Sequence, residues 1–336
     1  MISKLTLLAA VVAANEFEEE SELHNNFVAR AYTRAYKFGA AWCGHPGSYI
    51  DYTDLQGDGR SDQICSDTLG RHWHRMAWGN GSYGATVYSA NIKGWCQGAT
   101  AWTRFADLTG DRKVDMTCDV QAGGHHWAML GHGGWWNPKQ TKYHSKGWCG
   151  HAGAHTKYAD VNGDGKSDMI CDDNYGRHWT AYSRGNGTFY YKYHPALYRW
   201  CGHAGAWTQW ADINGDGKAD IICDDTLGRH WSRLSRGFSW GPSTWNGANW
   251  CKGGITRYAN FWLDTAHGKA ADMMCDIGAF HFIRPSLGNG HFHPHTWKLL
   301  STGWCNAAGT HYADVNANGV DDLICSIKGH HWLLAH

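Results

Sequence analysis

The 336-residue chain has no net charge, since 30 Lys and Arg residues balance 30 Asp and Glu residues. A nucleic-acid-binding protein normally has a basic excess, so this balance argues against that class. No apolar run beyond residue 14 approaches the length of a membrane-spanning helix. The nucleophile elbow, the HExxH motif and the P-loop are also missing. These absences favour a protein that is not an enzyme, while a catalytic pair within loops stays an alternative.

The first residues have the composition of an export signal. A short basic start is followed by the ten-residue apolar run Leu5–Ala14, which ends in small residues. This pattern predicts a signal peptide over residues 1–14, followed by an acidic leader over 15–23. We therefore expect a secreted, extracellular protein, in which the 12 cysteines form disulfides.

The cysteines divide the chain into six repeats. One cysteine of each repeat follows a tryptophan, and the second lies 20 to 24 residues downstream. The Trp-Cys steps begin at Trp42, Trp95, Trp148, Trp200, Trp250 and Trp304. Their spacing of about 52 residues accounts for nearly all of the mature chain, 24–336, and indicates a repeat architecture.

Each repeat is predicted to form four antiparallel strands. In repeat three the strand-like runs are Thr156–Val161, Asp168–Cys171, Arg177–Tyr182 and Thr188–His194, separated by glycine-rich turns. Six such units predict an all-β, six-bladed β-propeller. The last repeat lacks its outermost strand, and residues 26–41 resemble the missing piece. We therefore expect the N-terminal strand to close the last blade.

Acidic loops between the first two strands predict calcium sites. Repeats three and four carry oxygen side chains at loop positions 1, 3, 5 and 9 and contribute the carbonyl of position 7, a set that suits Ca²⁺. Position 12 is a cysteine and the flanks read as strands, which argues against an EF-hand. An Asp/Asn/Gly turn without metal is the alternative.

The predicted ligand sets differ between repeats, from complete sets to weak ones. We expect three firm calcium sites and up to five. By repeat the ligands are Asp54, Gln56, Asp58, Arg60 and Asp62; Asp107, Thr109, Asp111, Lys113 and Asp115; Asp160, Asn162, Asp164, Lys166 and Asp168; Asp212, Asn214, Asp216, Lys218 and Asp220; and Asp314, Asn316, Asn318, Val320 and Asp322. Repeat five is rearranged, with Asn260, Asp264 and Asp272 around an insertion.

These DxNGDGxxD loops on four-stranded repeats resemble the FG-GAP/VCBS repeats of integrin α-subunit propellers and of several secreted propeller lectins. The resemblance covers all six repeats and implies a propeller with Ca²⁺ between the first two strands of each blade. The chain departs from the integrin pattern in three ways: it has six repeats rather than seven, it has a cysteine pair in each, and it has no clear FG…GAP tripeptides.

Two disulfide registers are open. Pairing within repeats, which we favour because every repeat is then self-contained, gives Cys43–Cys65, Cys96–Cys118, Cys149–Cys171, Cys201–Cys223, Cys251–Cys275 and Cys305–Cys325. The alternative joins each downstream cysteine to the next Trp-Cys step, beginning with Cys65–Cys96 and leaving Cys325 to pair with Cys43.

Several other residues recur. A histidine followed by an aromatic residue begins the third strand of each repeat (His72, His126, His178, His230, His281 and His331), and we expect a hydrogen-bonded structural role for it, with the aromatics packed between blades. Arg71, Arg177 and Arg229 are expected to brace Asp67, Asp173 and Asp225. Asn80 and Asn186 lie in glycosylation sequons.

Aromatic residues are more abundant than a core needs. Those in outer strands and variable loops are Tyr190, Tyr191, Tyr193, Trp135, Trp136, Trp240 and Trp245. Such rings hold sugars or form protein interfaces, or pack in the core. We therefore expect a lectin-like or adhesive module for extracellular glycans or glycoproteins. The alternatives are a self-associating subunit of an extracellular matrix or fibre and, third, a polysaccharide-active hydrolase or lyase.

Overall fold

The structure is a computed structural model that describes residues 34–38, 42–98, 100–192, 197–261, 269–298 and 304–335. The predicted signal peptide and acidic leader lie outside the described residues, as do Tyr193 and Asp264. Within these ranges, no helix is both long enough and apolar enough to cross a membrane.

Twenty-four strands are described, with two short 3-10 turns at Ala90–Ile92 and Ala307–Gly309. In chain order the strands are β1 Arg34–Phe38, β2 Ser48–Thr53, β3 Asp62–Asp67, β4 His72–Arg75, β5 Val87–Tyr88, β6 Ala101–Ala106, β7 Asp115–Val120, β8 His125–Gly131, β9 Trp136–Ser145, β10 Ala154–Ala159, β11 Asp168–Asp173, β12 His178–Ser183, β13 Phe189–Lys192, β14 Ala206–Ala211, β15 Asp220–Asp225, β16 His230–Arg233, β17 Thr244–Trp245, β18 Ile255–Ala259, β19 Asp272–Ile277, β20 Phe280–Arg284, β21 Trp297–Lys298, β22 Thr310–Ala313, β23 Asp322–Ile327 and β24 His330–Ala335.

The strands form six antiparallel four-stranded sheets, which are the blades of a six-bladed β-propeller. Blades 1 to 5 are β2–β5, β6–β9, β10–β13, β14–β17 and β18–β21, and blade 6 combines β22–β24 with β1. The fold class is therefore as the repeats predict. The first strands face the axis, because residues of β2, β18 and β22 line one shared cavity.

The N-terminal strand closes the ring. β1 pairs antiparallel with β24, with Arg34 opposite Ala335 and Phe38 opposite His331. Blade 6, which contains β22–β24, is thereby completed by β1. This arrangement confirms the predicted closure and leaves β24 paired on both sides.

Strand bounds in blade 3 differ slightly from the expected ones. β10 begins at Ala154 and ends at Ala159, one residue before Asp160, rather than spanning Thr156–Val161. The reason is that the Asp160 carboxylate accepts backbone N–H groups of the following loop, so the chain leaves the extended conformation there. β11 in turn continues past Cys171 to Asp173.

The hydrophobic core is divided into clusters that lie between neighbouring blades. Ile170 and Tyr182 of blade 3 pack with Ile221 and Trp240 of blade 4, for example. Corresponding clusters join blades 1 and 2, 2 and 3, 4 and 5, and 5 and 6. One further cluster joins blade 6 to Ala77 of blade 1. Apolar packing thus runs around the whole ring, including the closing seam.

All six disulfides lie within repeats, which is the favoured register. The bonds are Cys43–Cys65, Cys96–Cys118, Cys149–Cys171, Cys201–Cys223, Cys251–Cys275 and Cys305–Cys325. Each bond ties the Trp-Cys turn to the second strand of its own blade. The first cysteine of every pair has a φ between 52° and 60°, so the turn at each Trp-Cys step has the same left-handed form.

Buried histidines link each blade to the next. In blade 3, His178 Nδ1 lies 2.7 Å from Asp172 Oδ1, and His178 Nε2 lies 2.8 Å from the carbonyl oxygen of Trp200. Trp210, in the first strand of blade 4, donates to Asp172 Oδ2 (2.8 Å). The same contact to a Trp carbonyl is made by His72, His126, His230, His281 and His331. The expected structural role of these histidines is confirmed.

Phe282 packs against the cluster that joins blades 4 and 5, as expected, but Trp179 and Trp231 do not pack between blades. Trp179 lies against His151 and the guanidinium of Arg177, which both belong to its own repeat. Trp231 likewise contacts His203 and Trp245 of its own blade. The reason is strand alternation: the histidine faces the next blade, so its neighbour points the other way, beside the disulfide.

Candidate functional site

The predicted calcium loops lie together at one end of the propeller, between the first and second strands of their blades. In blade 3 the Asp160 carboxylate accepts N–H groups from Gly163 (2.7 Å), Asp164 (3.2 Å) and Gly165 (2.8 Å). Asn162 Oδ1 accepts the N–H of Asp164 at 2.9 Å. These bonds curl the loop so that positions 1, 3 and 5 share one turn. Asp212 and Asn214 repeat the pattern in blade 4.

Negative charge accumulates in these loops. Burial, with a smaller contribution from the Asp160 and Asp164 carboxylates, raises the pKa of Asp168 at position 9 to about 7, although two backbone hydrogen bonds act in the opposite direction. Burial likewise raises the pKa of Asp220 in blade 4 to about 8. Opposing charge comes from the position-7 side chain, since Lys166 Nζ lies 3.1 Å from Asp164 Oδ2.

Position 9 has a role in the fold that the sequence pattern did not reveal. Asp168 is fully buried, and its two oxygens accept the N–H groups of Val161 (3.1 Å) and Ser183 (2.9 Å). Asp272 of blade 5 makes the same two bonds, to Phe261 (3.1 Å) and Ser286 (2.8 Å), although its loop is rearranged. An aspartate at position 9 is therefore explained by the folding of the blade, independently of metal.

The other three loops keep the turn but alter the ligand set. In blade 1, Gln56 donates its side-chain N–H to Asp58 Oδ2 (2.8 Å), which Arg60 also contacts. In blade 2, the Thr109 hydroxyl donates to Asp107 Oδ1 at 3.3 Å. In blade 6, Asn316 Oδ1 accepts the N–H of Asn318 at 2.9 Å, as in blade 3. Loops 3 and 4 are thus the most complete.

The donor set of loops 3 and 4 fits a hard cation. It consists of oxygen atoms alone, arranged around one turn, and carboxylates outnumber the single lysine in each loop. Among the described residues, however, no three His, Cys, Asp or Glu side chains are grouped closely enough to hold a metal ion. Calcium binding therefore stays a prediction for these residues.

A cleft of about 480 Å³ opens at the other end of the blades, at the junction of blades 3 and 4. Its walls are formed by Tyr175, Arg177, Tyr198, Arg199, Gly202 and His203. Tyr175 and Tyr198 expose 67% and 62% of their surface, so two aromatic rings face solvent here. No acidic residue is among the wall residues. The cleft can therefore offer aromatic faces, hydroxyl groups and positive charge to a ligand.

Two of the side chains in the cleft walls are held by turn carboxylates. Arg177 Nε donates to Asp173 Oδ2 at 2.6 Å, and His203 Nε2 lies 3.0 Å from Asp225 Oδ2. Arg71 and Arg229 make the equivalent contacts to Asp67 and Asp225. The expected bracing role of the three arginines is confirmed.

Arg199 stands out in this cleft because of its backbone. Its φ is +61°, a region that costs a residue with a side chain about 1 kcal/mol or more. The equivalent residues before Trp95 and Trp148 are Gly94 (φ 85°) and Gly147 (φ 84°). Sequence reasoning missed Tyr175, Tyr198 and Arg199; their departure from the repeat pattern was the signal that could have found them.

The aromatic residues that the sequence analysis named as possible sugar contacts include both buried and exposed side chains. Trp136 and Trp240 are buried in inter-blade clusters, which removes them as sugar contacts. Trp135, Tyr191 and Trp245 are exposed. Asn80 and Asn186 are also exposed, in turns between the third and fourth strands, where each side chain accepts the hydroxyl of its own sequon, Ser82 or Thr188.

Six four-stranded blades define the chain as a β-propeller, and the described loops between the first two strands of blades 1, 2, 3, 4 and 6 are acidic. Residues 160–223, which contain loops 3 and 4, match the family model described as FG-GAP-like repeat. No curated protein sequence matches the chain.

Solved structures resemble the chain in fold. One is a lectin from Agrocybe aegerita, described as recognising non-reducing terminal N-acetylglucosamine, with a TM-score of 0.60, 19% identity and coverage of 83% of this chain and 74% of the lectin. Another is the Tc holotoxin pore of Photorhabdus luminescens, with a TM-score of 0.60, 16% identity and coverage of 89% of this chain but only 14% of the toxin chain. At these identities the likeness concerns the fold.

Proposed function

We propose that this protein is a secreted, calcium-stabilised binding module that recognises extracellular glycans and has no catalytic activity. The observation that carries the proposal is the cleft between blades 3 and 4. Exposed tyrosine rings beside arginine and histidine side chains offer both the flat apolar surface and the polar groups that a sugar needs. The lectin from Agrocybe aegerita is an example of a similar fold that binds a sugar.

Secretion is supported by the cysteines. The structure pairs all 12 cysteines of the sequence in disulfides, and such density is typical of proteins in oxidising compartments.

Calcium would occupy loops 3 and 4 first. Asp160, Asn162 and Asp164, with the carbonyl of Lys166, would hold it in blade 3, and Asp212, Asn214 and Asp216, with the carbonyl of Lys218, in blade 4. The bound ion would supply positive charge to loops that hold an excess of carboxylates. These loops also join blades, since Ala219 N–H in blade 4 donates to the carbonyl oxygen of Asp160 in blade 3 at 2.6 Å. Metal binding would therefore stabilise a seam of the ring.

Removal of calcium should lower the melting temperature. Extracellular sites typically have a Kd of about 10⁻⁴–10⁻³ M, so each adds about 1 kcal/mol at millimolar calcium. Asp164→Ala should cost about that much more in calcium than in EDTA, as measured by calorimetry. Asp272→Asn is the control, since this position-9 residue bonds the backbone of a rearranged loop and should destabilise equally in both buffers. Identical melting curves of the wild type in calcium and in EDTA would refute the metal assignment.

Glycan binding can be tested on an array of extracellular polysaccharides and oligosaccharides with the intact, calcium-loaded protein. We expect a restricted set of glycans to bind, and Tyr175→Leu to weaken that binding. Leucine stands at this turn position in blades 1 and 4, as Leu69 and Leu227, so the variant should fold. The proposal fails if no glycan is retained, or if Tyr175→Leu binds every glycan as the wild type does.

A structural subunit of a matrix is the second candidate. The observation that favours it is a set of exposed aromatics on the outermost strands of four blades, Tyr88, Tyr143, Tyr191 and Trp245. Concentration-dependent self-association in sedimentation velocity, lost in a variant with all four residues changed to serine, would support it over glycan binding.

A further inference from the structure

The walls of the cleft between blades 3 and 4 differ from every other blade junction in sequence. Tyr175 replaces the leucine found in blades 1 and 4. The pair Tyr198-Arg199 precedes Trp200, whereas Lys93-Gly94 precedes Trp95 and Lys146-Gly147 precedes Trp148. The departures come from two segments more than 20 residues apart in the chain, and the fold brings them to one cleft. Such a coincidence indicates a built site rather than random drift of the repeats.

Arg199 is retained at a backbone position that favours glycine. Its φ of +61° is also that of Asn249 at the next junction, and the glycines at the two preceding junctions lie in the same left-handed region, with φ of 85° and 84°. Arginine is disfavoured there, because its Cβ crowds the backbone. Strained residues persist mainly where the side chain has a task, and this side chain forms part of the cleft wall.

Arg199 is exposed, and its charge has no partner within the described part of the chain, so its guanidinium is accessible to a ligand. Arg177 is paired with Asp173, and His203 with Asp225, but Arg199 makes no hydrogen bond or ion pair there. The cleft walls include no carboxylate that could serve. A ligand with a negative group could therefore pair with the guanidinium of Arg199. The neighbouring tyrosine rings would contact the rest of that ligand.

We propose that the cleft binds an acidic glycan, with Arg199 pairing with a carboxylate or sulfate group and with Tyr175 and Tyr198 contacting the sugar rings. This inference rests on the proposed glycan-binding function and narrows its ligand class. Bidentate hydrogen bonds from a guanidinium suit both carboxylate and sulfate oxygens. Tyrosine faces suit the apolar faces of sugars.

The test compares ligands of equal length and different charge. Isothermal titration of the calcium-loaded protein would use a galacturonic acid oligosaccharide, a sulfated galactan oligosaccharide and a neutral galactose oligosaccharide. We expect one or both acidic ligands to bind about tenfold or more tightly than the neutral one, as a charge-assisted contact implies. The two acidic ligands tell a carboxylate site from a sulfate site. Binding should weaken as salt is raised, because the contact is partly exposed.

Arg199→Gly is the decisive variant, because glycine precedes the Trp-Cys step in three other repeats, as Gly94, Gly147 and Gly303, and because it relieves the backbone. It should melt at or above the wild-type temperature while losing the preference for acidic ligands. Asn249→Gly makes the same backbone change at the next junction and should bind as the wild type does. If the wild type binds neutral ligands as tightly as acidic ones, or if Arg199→Gly keeps the preference, the inference is overturned and glycan binding stands. If no glycan binds at all, both are overturned.

Discussion

Reduction of the six disulfides should unfold the protein at room temperature. Each bond closes a loop of 20 to 24 residues and should contribute about 3 kcal/mol by the chain-entropy estimate. Six such contributions exceed the ~5–15 kcal/mol by which domains are usually stable. Circular dichroism with and without a reductant would measure the effect.

Removal of one disulfide at a time should destabilise the protein by a smaller, measurable amount. Serine substitution of both Cys201 and Cys223 should cost about 3 kcal/mol in urea unfolding. Substitution of Cys96 and Cys118 should cost a similar amount, because the two loops have equal length. A reduced protein that melts as the oxidised one does would contradict the account. So would a Cys65–Cys96 peptide in a non-reducing peptide map.

Asp172→Ala should strongly destabilise the seam between blades 3 and 4. Asp172 is buried and accepts hydrogen bonds from His178, Thr208 and Trp210, with Lys157 Nζ 3.2 Å away. Burial raises the pKa of Asp172, but Lys157 and His178 outweigh it and hold that pKa below its usual range. The substitution leaves the Lys157 ammonium and the side-chain donors of Thr208 and Trp210 without their partner, which should cost about 3–5 kcal/mol. Urea unfolding would measure the loss.

The chain offers a matched control at the seam between blades 1 and 2. Ser66 stands at the equivalent position, where it contacts His72 Nδ1 at 3.0 Å. Phe105 in the next blade has no hydroxyl to bond it, unlike Tyr158 at the following seam, which donates to Asp119. Ser66→Ala should therefore cost only about 1 kcal/mol. Equal losses for the two variants would show that the Asp172 network does not hold the seam.

The architecture was predictable because the repeat makes each blade a local unit. The Trp-Cys spacing, the glycine-rich hairpin turns and the strand-like segment before Trp42 together determine six blades and their closure. The within-repeat disulfides follow from the same locality, since each joins cysteines that share a blade. Because the pattern recurs six times, a strand or turn that is ambiguous in one repeat can be assigned from the others.

Contacts between blades were harder to predict, because they join residues that are distant in sequence. The position-9 aspartates were interpreted as metal ligands alone, whereas Asp168 also bonds the backbone at Ser183, 15 residues away. Trp179 was expected at the seam, but the histidine beside it faces the next blade. Tyr175, Tyr198 and Arg199 carry no motif, and only the fold places them in one cleft.

The most direct test of the proposed function is a crystal structure of the calcium-loaded protein with an oligosaccharide selected on the glycan array. The account predicts that a sugar lies between Tyr175 and Tyr198 at the junction of blades 3 and 4, with a negative group of the ligand against Arg199. A sugar bound only elsewhere on the propeller, or a cleft that stays empty at saturating ligand, would contradict it.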